Sequence, residues 1–68
     1  MTYLINTEDG SHTHLVGEYQ TLAEAKKAFE SFVKTGAEDD EIAIELVTED
    51  YEPVMYHNYT TGITEEDA

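Results

Sequence analysis

Apolar residues recur at helical spacing once in this chain and alternate with polar ones on either side of that stretch. Between Thr21 and Gly36, Leu22, Ala25, Phe29, Phe32 and Val33 fall on one side of a 3.6-residue period, which predicts an amphipathic helix with that side buried. Both ends carry stop signals. Thr21 with Glu24 three places on is a capping box, and Gly36 suits a left-handed position just past the last turn.

Before the helix, Tyr3 to Thr7 and His12 to Tyr19 are β-type runs joined by Glu8-Asp9-Gly10-Ser11, and Asp-Gly between such runs is a strong hairpin signal. In the return strand Leu15 and Tyr19 are expected to face inward, which leaves His12, His14 and Glu18 to water. After the helix, Ile42, Ile44 and Leu46 alternate with Ala43, Glu45 and Val47, the pattern of a sheet with one buried face. Glu49-Asp50-Tyr51-Glu52 turns the chain, Pro53 opens the last strand, and Val54 to Tyr59 completes it. The expected fold is α+β, ββαββ: an antiparallel four-stranded sheet with one helix packed on one face. Residues 1–68 form a single domain, in which the acidic segment 60–68 is expected to fray.

Length and charge narrow the function. A 68-residue chain buries only about 60% of its unfolded surface, which leaves little room for a deep catalytic pocket as well as a core. There is no serine–histidine–aspartate arrangement and no glycine-rich phosphate loop, so no enzyme and no cofactor are expected. His12 and His14 share a strand face, but exposed histidines beside a turn explain them without a metal. The acidic run 38–41 lacks the alternating ligands and central glycine of a calcium loop. No cysteine, no basic leader and no apolar run near ~20 residues point to a cytoplasmic protein without a membrane anchor.

Sixteen acids against three lysines give a formal charge of −13, while an apolar fraction of 40% argues for a folded core. The distribution is more telling than the total. Lys26, Lys27 and Lys34 all lie in the helix, and every residue outside it is either acidic or uncharged, histidines apart. Solubility needs a net charge of only roughly 2–8 in a small domain, so the excess asks for another reason. Duplex DNA presents a charge about every 1.7 Å of its axis, and carboxylates on a rigid surface can occupy the same basic groove. A very small, cysteine-free, strongly acidic domain resembles the DNA-mimic inhibitors encoded by phages and mobile elements, including anti-CRISPR and anti-restriction proteins. The resemblance covers the whole chain in size, charge and compactness, and it carries no residue roles.

What the resemblance implies is an inhibitor that blocks a basic nucleic-acid-binding protein or complex of the host, without touching nucleic acid itself. The residues expected to meet the partner are Glu38, Asp39, Asp40 and Glu41 of the loop, Glu45 of the strand, and Glu49, Asp50 and Glu52 of the turn, with Tyr51 as an aromatic anchor. The competing class is a structural or assembly module that forms a homodimer through its strand edges, the acids then serving solubility. Acid enrichment in a salt-adapted organism is a third reading of the same charge.

Overall fold

A computed structural model describes residues 1–37 and 40–67. Five strands and one helix follow in the order β1 (Tyr3–Glu8), β2 (Thr13–Tyr19), α1 (Leu22–Thr35), β3 (Ala43–Thr48), β4 (Pro53–Asn58) and β5 (Ile63–Glu66). All neighbours pair antiparallel, in the sheet order β2-β1-β3-β4-β5.

The fold is the expected α+β, with one strand more than expected. The segment thought to fray supplies β5, and the reason lies in the loop before it. The Asn58 side chain accepts the backbone N–H groups of Thr60 (2.8 Å) and Thr61 (3.1 Å), and Gly62 takes a φ of 76°. That closes a hairpin and returns the chain along β4. Pairing continues to Asp67, whose N–H donates to the Val54 carbonyl at 2.8 Å.

The helix is capped much as its sequence requires. Thr21 Oγ1 accepts from Glu24 N and donates to Glu24 Oε1, so Glu24 closes the cap through the hydroxyl rather than through the backbone. At the other end the Gly36 N–H donates to the Phe32 carbonyl. Its φ of 92° and ψ of 176° lie outside the left-handed helical well, in a region essentially reserved for glycine.

The helix lies over β1, β3 and β2. Phe29, Ile5, Ile44 and Leu46 are fully buried between the layers with Ala25, and Tyr3, Tyr19, Leu22, Phe32, Val33 and Tyr59 pack around them. Alternation along β3 is cleaner in sequence than in burial. Ala43 and Val47, pointing away from the helix, are also buried, because central β3 is flanked on both sides and Val47 sits between Leu4 and Pro53.

β2 departs from expectation at one residue. Ile5 pairs with Gly17, but Asn6 pairs with Leu15, so Val16 is bulged out and the alternation changes phase there. Tyr19 still reaches the core, whereas Leu15 turns to the open face and is 55% exposed. Tyr19 also folds back over Gly17: a Cβ there would meet the tyrosine hydroxyl at 2.6 Å. No described helix is long and apolar enough to cross a membrane.

Candidate functional site

With α1 covering one face of the sheet, the other face is presented outward. One ladder row crosses it from edge to edge: Leu15, Asn6, Glu45, Tyr56 and Glu65 stand opposite one another on the five strands. Glu8 lies diagonally beside Glu45, and Glu18 sits opposite Leu4 nearer one end. Asn6, itself buried, donates Nδ2 to Glu45 Oε2 at 3.1 Å.

Glu8 is held above its ordinary carboxylate pKa. Partial burial is the main cause, followed by the charge of Glu45 and a hydrogen bond between the two carboxyls.

The residues expected to form the site are strung along β3 rather than gathered in one cluster. Glu45 is central. Glu41 precedes it by four residues and Glu49 follows by four, each about 13 Å away at the rise of a strand. Asp40 and Glu41 therefore mark one end of the sheet, and Glu49, Asp50 and Glu52 the other. Glu38 and Asp39 lie outside the described residues. The molecule is 30 Å in its longest dimension.

The face between the two ends is a mosaic and not the unbroken anionic surface that charge alone suggests. Leu4, Leu15, Val47, Tyr56 and Ile63 share it with the carboxylates, because strand alternation admits only every second residue to a face. Glu8, Glu65 and Tyr56 were not singled out from sequence for this site. Their membership depends on which strands are neighbours, and β5 in particular had no place in the expected sheet.

At the β3–β4 turn Tyr51 is 71% exposed and has a φ of 63°, the only described non-glycine residue with positive φ. The Thr48 hydroxyl accepts from the N–H groups of Asp50 and Glu52, and the Tyr51 N–H donates to the Thr48 carbonyl at 2.8 Å. This is a type I turn followed by a left-handed residue, a place where glycine is usual.

The histidines do not converge. His14 Nε2 is 3.3 Å from Asp9 Oδ2, at the β1–β2 turn. His57 is buried on the helix side with Nδ1 2.6 Å from Thr64 Oγ1, and two strands, β1 and β3, separate it from β2. Asp9 is lowered to about 2, chiefly because its carboxylate accepts the backbone N–H groups of Ser11 and His12, with His14 adding to the effect. Among the described residues no group of three histidine, aspartate or glutamate side chains is placed to hold a metal ion. A concavity of about 330 Å³ is lined by Glu8, Gly10, Ser11, His12, Thr13 and Ile42 and opens beside the same turn.

The lysines lie on the far side of the molecule. Lys26 reaches from α1 to Glu66 of β5, with Nζ to Oε2 at 2.6 Å. No protein-family model matches this chain, no curated protein is significantly similar to it, and no solved structure matches it significantly. The fold and the face define a class by their own geometry: a small antiparallel α+β protein whose open sheet face carries carboxylates and whose lysines are confined to the opposite layer.

Proposed function

We propose that this protein is a non-enzymatic inhibitor of the DNA-mimic type, which docks its open sheet face into the basic groove of a nucleic-acid-binding protein or complex. One observation carries the reading. The carboxylates Glu8, Glu18, Glu45 and Glu65 share the exposed face, acids continue it at both ends along β3, and no lysine lies outside the helix layer. A basic groove meeting that face finds carboxylates across the sheet and acids at both ends of β3, and no lysine to repel it.

The mosaic strengthens the case for a protein partner. Tyr56 between Glu45 and Glu65 offers a ring face for a lysine or arginine stem with a carboxylate on either side. A partner's cation beside Glu8 would offset the part of its raised pKa that comes from the charge of Glu45.

The test is capture from cell lysate on immobilised protein, with release by rising salt and, separately, by added duplex DNA. Retention of a nucleic-acid-binding protein that DNA displaces, and that a Glu18→Lys/Glu45→Lys/Glu65→Lys variant fails to retain, is the expected result. Equal retention by that variant and by one carrying charge reversals on the outer helix face would overturn the assignment. Both variants are first checked for native circular dichroism.

A further inference from the structure

Two edges bound the sheet, and they are guarded unequally. β5 has four residues, of which Glu65 and Glu66 are acidic, and Asp67 extends it. Two copies meeting there would set these carboxylates against one another. β2 has seven residues, with a single carboxylate and neither lysine nor proline. Of the usual protections of a free edge it has the bulge alone. At that bulge Leu15 and Val16 stand side by side, 55% and 40% exposed.

We infer that β2 pairs antiparallel with β2 of a second copy, joining two five-stranded sheets into one continuous sheet. Symmetry selects this joint. A β2-to-β2 pair is isologous and closes at two chains, whereas a β2-to-β5 joint leaves a free edge at each end and grows into fibres. The bulge at Val16 changes the phase of the strand, so Glu18 shares the open face with Thr13 and Leu15 while His14, opposite Thr7, lies on the helix side. β2 brings one carboxylate per copy to the joint, against Glu65 and Glu66 of β5, and the exposed pair Leu15 and Val16 lies within it.

The joint is short and the two chains repel. A seven-residue edge covers less than the ~800 Å² per partner of a standard interface, and each copy brings a charge of −13. The dimer is therefore weak and is strengthened by salt, which screens the repulsion. Docking into a basic groove has the opposite salt dependence, so the two can fail independently.

Sedimentation velocity from micromolar to millimolar protein, at low and high salt, tests the inference. The mass should rise from the 7.7 kDa of one chain toward twice that value, more steeply at high salt. Val16→Lys should hold the single-chain mass at every concentration, while Ile63→Lys on the β5 edge should behave as the parent. Amide exchange on the unmodified protein supplies a second reading, with β2 amides gaining protection as concentration rises. A single-chain mass throughout, an unchanged rise in Val16→Lys, or loss of the rise in Ile63→Lys would each overturn it.

Discussion

Glu8 on β1 and Glu45 on β3 stand diagonally across one ladder, close enough for their carboxyls to share a hydrogen bond. Because the fold raises Glu8, it binds a proton more readily than the unfolded chain does. Stability therefore falls as pH rises from the ordinary 4.5 through the raised folded value, and is level above it. Glu8→Gln should remove that slope and make the neutral-pH protein more stable than the parent. Urea midpoints at intervals between pH 4 and pH 8 would show it, and an unchanged slope in the variant would mean that Glu8 is not its source.

The next residue has the opposite sign. Asp9 is lowered from 3.8 to about 2 by the N–H groups it accepts, so its contribution is complete above 3.8 and is lost as pH falls toward 2. The windows of Glu8 and Asp9 do not overlap. Asp9→Ala should weaken the β1–β2 turn at neutral pH and abolish its share of the acid-range slope, as read by thermal melts below pH 4.

Tyr51 is held where a side chain is disfavoured. Exchanging it for glycine removes about 1–2 kcal/mol of left-handed strain but adds roughly 0.5–1 kcal/mol of unfolded-chain entropy, a net gain of several tenths to 1 kcal/mol. Tyr51→Gly should raise the melting temperature by a few degrees. Lower stability would mean that the exposed ring makes a stabilising contact in the free protein.

Tyr19 and Gly17 form a matched pair on the edge strand. Gly17→Ala drives a methyl into the ring and should cost about 1–3 kcal/mol, the usual range for overpacking. In a Tyr19→Ala background the same change should be close to neutral. A double-mutant cycle by urea unfolding measures the coupling, and additive costs would exclude it.

Phe29 is the largest fully buried side chain. Phe29→Ala should cost about 3–5 kcal/mol, a large part of the total stability of a domain this small. Loss of the cooperative urea transition at room temperature is the expected outcome.

The helix and the first four strands are legible in the chain because their signals are local. Thr21, Glu24, Gly36 and the Asp9-Gly10 turn each act on neighbours a few residues away. β5 was hidden by its composition, since Glu65 and Glu66 suggest a solvated tail. The signal that could have revealed it is Asn58 followed by Thr60, Thr61 and Gly62, a turn formula like those already read elsewhere. The bulge at Val16 had no such formula, and it alone sent Leu15 outward. The candidate face was legible only as a tendency: charge segregation is a property of the sequence, but bringing Glu8, Glu45 and Glu65 together needs the neighbour relations of β1, β3, β4 and β5.

The order β2-β1-β3-β4-β5 also fixes a timetable. Three of its four ladders are hairpins between consecutive strands, each closable as soon as its own residues exist. The ladder between β1 and β3 is different, because it must close over β2 and the whole helix. Its loop-closure entropy comes before most of the contacts that repay it. A nascent chain cannot form the centre of its sheet until Thr48 has emerged, and until then the β1–β2 hairpin and the helix have only each other. The rate of folding is thus governed by the one joint in the middle, and β5 can be altered with far more effect on unfolding than on folding.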